Sequence, residues 1–239
     1  MALTEGGALA AEESVLTDQP VWLIDVDNTL LDNDRVQADL GEFLVAEFGA
    51  AARDQYWSIL GDLWNELGYR DYLGALQRYR VLHPHEVHIL DLSAWLLDYP
   101  FAERLYPGAL DVLARLGDQA QATIVSDGDV VFQPQKIRRS GLWHAVGGRV
   151  LVYIHKEKEL ADIEQRHPAA RYVLVDDKLW ILAAFKQIWG DRVTTVFPRQ
   201  GQYAHDPKVL AAQPPPDVAI ERIGDLLTSD LLGALRRPS

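Results

Sequence analysis

Residues 21–30 read VWLIDVDNTL. Val21 to Ile24 are apolar and run straight into Asp25, Asp27 and Thr29, the pattern of a fully buried parallel strand that delivers its last residues to a reactive edge. Asp is poorly favoured inside strands, and in open α/β sheets the ligand crevice lies outside the carboxyl ends of the strands. These acids therefore stand where chemistry normally happens. Residues two apart on a strand share a face, so Asp25 and Asp27 point the same way while the strand lasts. A metal ion is the simplest means of holding such charges together. The plain alternative is an acidic turn that caps the next helix.

A chain of 239 residues, 48% of them hydrophobic, can bury a sizeable core and fits one large domain or a core with a smaller companion. No apolar run approaches the roughly 20 residues of a membrane span. The opening stretch carries Glu5, Glu12 and Glu13 in place of a basic start and apolar centre, which predicts a cytoplasmic protein with no membrane partner. The absence of cysteine removes disulfides, thiol catalysis and thiolate metal sites. A net charge of −12 argues against nucleic acid as a partner. An anionic substrate would need local help from a cation, a lysine or helix N-termini. Residues 1–18 and the closing RRPS have the composition of unstructured tails.

After Thr29 the apolar period changes to that of helices. Leu40, Phe43, Leu44 and Phe48 predict a helix within 34–49, stopped by Gly49. Helical texture continues through Tyr56, Trp57, Leu60, Leu63, Trp64 and Leu67, then through Leu73, Leu76 and Tyr79, and lastly over Ile89 to Leu97. No strand signal interrupts it, so 34–104 reads as a helical insertion. Pro107 then opens a helix that Gly117 closes. Beyond it, strands alternate with helices. ATIVS ends in Ser126 and RVLVYI ends at His155 and Lys156, while YVLV delivers Asp176 and Asp177. The strands VTTVF and VAIERI follow, the second leading to a terminal helix. Helices are expected over 135–142, 157–167 and 179–189. Such alternation marks a parallel sheet wrapped on both faces, an α/β doubly wound architecture.

Four strands thus end in groups suited to phosphoryl transfer: Asp25 with Asp27, Ser126, Lys156, and Asp176 with Asp177. The D-x-D-x-T arrangement at 25–29, the order and spacing of the other three, and the insertion between the first and second resemble the haloacid dehalogenase (HAD) superfamily across nearly the whole chain. The resemblance implies a Rossmann-like core over 19–33 and 105–239 with an α-helical cap over 34–104. It also implies a Mg²⁺-dependent hydrolase of a small phosphorylated metabolite. In that family the first aspartate is the nucleophile, so Asp25 would carry an aspartyl-phosphate. Asp27 would protonate the leaving oxygen and later activate water, which asks for a pKa raised into the working range. Ser126, Asp127 and Lys156 would surround the phosphate, and Asp25, Asp27 (through its carbonyl), Asp176 and Asp177 would hold the metal. Hard oxygen ligands favour Mg²⁺. The motif alignment prefers Asp177 as the direct ligand, with Asp176 acting through water.

Some readings compete. Ser126 has the alternative of a helix N-cap. Lys158 rivals Lys156, which is preferred because it directly follows the strand. Lys136 reads as a surface residue of its helix. Asp127 where Asn or Gly is common, Lys178 where a small residue is frequent, and Ile181 and Leu182 where a second acid often stands all depart from the family pattern. A phosphomutase, a haloacid dehalogenase-type hydrolase and a catalytically weak phosphate- or protein-binding module remain alternatives. Of the cap aromatics Tyr56, Trp57, Trp64, Tyr69, Tyr72 and Tyr79, most are expected in packing and one or two against substrate. His83, His85 and His88 read as a cap loop before a zinc site. Arg199 or His205, on a loop at the same sheet edge, could touch substrate or support the acids.

Overall fold

The computed structural model describes residues 19–117, 120–228 and 233–235. Six strands form one parallel sheet in the order β3-β2-β1-β4-β5-β6. They are β1 (Val21–Ile24), β2 (Gln121–Asp127), β3 (Val150–Tyr153), β4 (Tyr172–Val175), β5 (Val193–Pro198) and β6 (Val218–Ile220). Strand β1 is central and buried on both faces. Trp22 and Ile24 enter one apolar cluster, while Val21 and Leu23 enter the other. That is why its sequence is a continuous apolar run and not an alternating one.

Helices α5 (Ala109–Gly117), α6 (Phe132–Arg139) and α7 (Leu142–Ala145) contribute Leu113, Ile137 and Leu142 to the first cluster. On the other face, α8 (Leu160–Arg166) and α9 (Leu179–Trp189) contribute Ile163 and Phe185. The connections wind outward in opposite senses from β1 and β4. These two strands pair in register, Ile24 opposite Val175, so the crevice of the fold opens at their carboxyl ends. A short α10 (Pro207–Ala212) precedes β6.

Four helices lie between β1 and β2: α1 (Asn33–Phe48), α2 (Ala50–Leu67), α3 (Tyr72–Leu82) and α4 (Ile89–Asp98). Asp32 caps α1 by accepting from Arg35 N at 2.9 Å, and Asp71 caps α3 through Gly74 N at 2.6 Å. Their apolar stripes, including Leu40, Leu60, Leu76 and Leu92, merge into the same cluster as Trp22. The two chain connections between this cap and the sheet run side by side, with Tyr106 N donating to Leu30 O (2.9 Å) and Asp32 N to Arg104 O (2.8 Å).

Some expected boundaries move. The helix expected over 135–142 is two helices, because Gly141 takes a left-handed conformation (φ 85°) between them. The helix expected from 157 starts at Leu160, after a 3₁₀ turn over Lys156–Lys158. Between β6 and the terminal segment, whose residues 233–235 are helical, comes another 3₁₀ turn, Ile223–Leu227. The expected tails over 1–18 and 236–239, with residues 229–232 of the terminal segment, lie outside the described residues. Among the described residues, no helix is long and apolar enough to cross a membrane.

Candidate active site

The turn after β1 is wound tightly, with the amides of Thr29, Leu30 and Leu31 all donating to Val26 O at 2.9–3.2 Å. Asn28 sits at φ 61°, a left-handed position that Asn tolerates better than most residues. Gln200 holds the outside of this turn. Its Nε2 donates to Asn28 O (3.2 Å) and Thr29 O (2.9 Å), and its Oε1 accepts from Ile223 N (2.6 Å). A Cβ at the neighbouring Gly201 would overlap the Asn28 side chain. Thr29 Oγ1 accepts from Asp177 N at 3.1 Å, which ties the ends of β1 and β4 together.

This scaffold brings Asp25, Asp176 and Asp177 together, with one carboxylate oxygen from each lying within 4.8 Å of the others. Lys156 Nζ enters between them, 2.5 Å from Asp25 Oδ1 and 2.6 Å from Asp176 Oδ2, and also donates to Val125 O at 3.2 Å. Lys158 is exposed. Lys178, 18% exposed, stands 3.9 Å from Asp177 Oδ1. Three buried acids therefore face two ammonium groups. Asp25 Oδ2 and both oxygens of Asp177 are buried with no hydrogen-bond partner. Burial pushes the Asp25 carboxyl up, but Lys156 and Lys178 outweigh it and hold that group below its ordinary value. Burial carries Asp176 up to about 6 against the pull of Lys156. Asp177 is raised well above the carboxylate range by burial, against the weaker pull of Lys178. Burial alone would lower both lysines, yet the facing acids hold them high.

Asp27 takes a different partner. Lys136 is not a surface residue: it is 1% exposed, and its Nζ reaches back from α6 to Asp27 Oδ1 (2.8 Å), Asp27 Oδ2 (2.9 Å) and Asn33 Oδ1 (3.0 Å). A single buried ammonium so spans both oxygens of the second acid. Spacing alone pointed outward, because a lysine ten residues past Ser126 has no local cue for a partner 109 positions away.

Ser126 is buried and accepts from Gln133 Nε2 at 2.9 Å. It is not an N-cap; Asp129 instead braces the turn into α6, accepting from Val131 N (2.8 Å) and Phe132 N (2.6 Å). The Asp127 side chain accepts from Lys156 N at 2.8 Å, so the acid that departs from the family pattern pins the loop carrying the motif lysine. Burial pushes its carboxyl up.

Cap and sheet enclose a cleft of about 350 Å³ beside these groups, within the range of small-molecule sites. Asp27, Asp127 and Lys178 line it from the sheet side, and Trp64, Arg70 and Tyr72 from the cap. Tyr69 joins them, whereas Tyr56 is packing: its hydroxyl donates to Tyr72 O at 2.7 Å. Arg199 and His205 are exposed and do not reach the acids; Arg199 pairs with Glu221 at 3.6 Å. The residue of that loop that meets the motifs is Gln200. His83 pairs with Gln55 and His88 with Asp91, so the cap histidines make no metal cluster among the described residues.

A six-stranded parallel sheet with a helical cap, carrying acids, serine and lysine at adjacent strand ends, defines a hydrolase of the HAD type. Neither a protein-family model nor a curated protein matches the chain. A solved structure described as a haloacid dehalogenase-like hydrolase of Burkholderia xenovorans LB400 is 57% identical, covering 90% of this chain and 98% of that one at TM-score 0.84. This chain therefore belongs to the haloacid dehalogenase-like hydrolases. The fold alone is shared with two more distant structures. One is the magnesium-bound HAD-hydrolase YfnB of Bacillus subtilis, 19% identical over 87% of this chain and 96% of that one at TM-score 0.55. The other is the L-2-haloacid dehalogenase of Xanthobacter autotrophicus with chloropropionic acid covalently bound, 16% identical over 87% of this chain and 96% of that one at TM-score 0.59.

Proposed function

We propose that this chain is a Mg²⁺-dependent hydrolase of a small phosphate monoester, acting through an aspartyl-phosphate on Asp25. The observation that carries the reading is the set of buried oxygens without partners, Asp25 Oδ2 and both Asp177 oxygens, gathered with Asp176 around one point. Orphaned buried carboxylate oxygens are costly, and an all-oxygen set suits a small hard cation. Asp25 and Asp177 would hold it directly, with Asp176, already engaged by Lys156, contributing through water. When bound, the ion supplies charge neutralisation for the phosphoryl group.

The protein's own groups then do the following. Ser126 Oγ and Lys156 Nζ hold phosphoryl oxygens. Asp25 attacks phosphorus; the bond to the ester oxygen breaks, and that oxygen takes a proton from Asp27. A water then gives a proton to Asp27 and attacks the aspartyl-phosphate, releasing phosphate and restoring the Asp25 carboxylate. Burial of Asp25 keeps competing water from its carboxylate. The test is hydrolysis of 4-nitrophenyl phosphate with Mg²⁺ and with EDTA, comparing wild type and Asp25→Asn. Metal-dependent turnover that vanishes in the variant is the expected result.

One observation favours a second reading. Both oxygens of Asp27 are engaged by Lys136, and attack by Asp25 on a carbon bearing a halide needs no second acid. Chloride release from 2-chloropropionate in EDTA, with no phosphate release from any ester, would select that reaction over the first.

A further inference from the structure

On the cap side of the cleft, Arg70 and Tyr72 flank the N-terminus of α3. Arg70 is half-buried and has no carboxylate partner among the described residues; its guanidinium lies 5.5 Å from the ring centroid of Trp64. The nearest acid in sequence, Asp71, is occupied by capping α3. Tyr72 is 6% exposed, and its hydroxyl has no well-formed hydrogen bond, with the Asn33 amide beside it. Tyr72, Arg70 and Asp27 all line the same cleft. A buried hydroxyl whose O–H has no acceptor and an arginine without a counter-ion, lining one cavity, are the halves of an anion receptor.

In the phosphatase reading the phosphoryl group is held by Ser126 and Lys156, buried at the strand ends. Arg70 and Tyr72 line, from the cap wall, the same cleft as Asp27, the acid that would protonate the leaving group. A guanidinium beside a phenol donates in the planar fork that a carboxylate accepts, and one guanidinium with one neutral hydroxyl matches the single charge of a carboxylate better than the double charge of a second phosphate. We propose that Arg70 and Tyr72 bind a carboxylate on the leaving group, so that the substrate is the phosphate ester of a small hydroxy acid. This rests on the phosphatase reading and narrows it. The Trp64 ring, 5.5 Å from the guanidinium, adds a cation–π contact that helps hold Arg70 at the cleft wall.

The test uses matched esters and matched phosphonates. Carboxymethyl phosphate and ethyl phosphate are compared as substrates of the Mg²⁺-loaded protein, and phosphonoacetate and ethylphosphonate as ligands by titration calorimetry. Each is repeated with Arg70→Met, Arg70→Lys and Tyr72→Phe. The expected result is a preference for the carboxylated member of about tenfold or more in kcat/KM and in affinity. Arg70→Met should bring that ratio close to one, Tyr72→Phe should lower it several-fold, and Arg70→Lys should restore part of it. Equal turnover of the two esters overturns the subsite and leaves the phosphatase standing. No turnover of either ester, with phosphonoacetate still preferred through Arg70, overturns the phosphatase and keeps the carboxylate receptor. Absence of both turnover and preference overturns both.

Discussion

Lys136 shows how one side chain can decide what a catalytic acid is able to do. Its ammonium contacts both oxygens of Asp27 and is itself fixed by Asn33 Oδ1 and by its place over the Phe132 ring, 5.4 Å from the centroid. This geometry holds the carboxylate in one rotamer, aimed into the cleft. Lys136→Met, close in volume, frees that carboxylate to rotate. The expected consequence is a loss of kcat of roughly 10- to 100-fold on alkyl phosphates, whose leaving oxygen needs a placed proton. Aryl phosphates, which leave unaided, should lose far less. A uniform loss across leaving groups would mean that Lys136 serves the fold alone. Gln200 makes a second residue-level case. Gln200→Leu strands the Ile223 amide and the carbonyls of Asn28 and Thr29. A buried polar group left unpaired costs about 1–3 kcal/mol, which should appear as a lower midpoint in urea denaturation.

At the scale of elements, the closed relation between cap and sheet depends on the turn between α2 and α3. Gly68 ends α2 in a left-handed conformation (φ 82°), and a Cβ there would overlap the His155 ring at the end of β3. Gly68→Ala should therefore raise KM by propping the cap away from the sheet, besides costing about 1–2 kcal/mol of backbone strain. Adding His155→Ala should recover the KM and leave the strain, a non-additivity that steady-state kinetics and thermal melts read separately. The elements themselves were unequally legible in the sequence. β1 could be read because four apolar residues ending in two acids admit few structures, and α9 because Leu182, Phe185 and Trp189 keep helical spacing up to a stopping glycine. The break between α6 and α7 needed the conformation of Gly141, which pattern alone does not report. The strand-end acids, Ser126 and Lys156 were legible because strand and chemistry adjoin in the chain. Lys136 and Gln200 were not, since each takes its meaning from groups brought near by folding.

For the molecule as a whole, the fold sets three buried acids against two ammonium groups within a net charge of −12, so a dication at Asp25 and Asp177 should bind the native state and not the unfolded chain. Selective binding of this kind stabilises by about 2.7 kcal/mol at a hundredfold excess over Kd. A protein of this size gains roughly 2–4 °C in Tm for each kcal/mol. Thermal melts in Mg²⁺ should thus exceed those in EDTA by several degrees at pH 8, and Asp177→Asn should abolish the difference. The sign of its pH dependence follows from the raised carboxyls. Burial carries Asp176 to about 6, above its ordinary value of 3.8, and also raises Asp177 well above that ordinary value. As pH falls through 6, the metal-free native state takes up protons that the unfolded chain does not yet bind, which stabilises it. The metal-bound state must keep those carboxylates ionised and gains nothing. The Mg²⁺ increment should accordingly be greatest at pH 8 and shrink steadily toward pH 5. Because the increment is a difference at each pH, His167, which burial and the Arg149 and Arg166 charges hold below its usual value far from the acids, cancels from it. An increment that stays flat from pH 8 to 5, or survives in Asp177→Asn, would place the cation somewhere other than these three carboxylates.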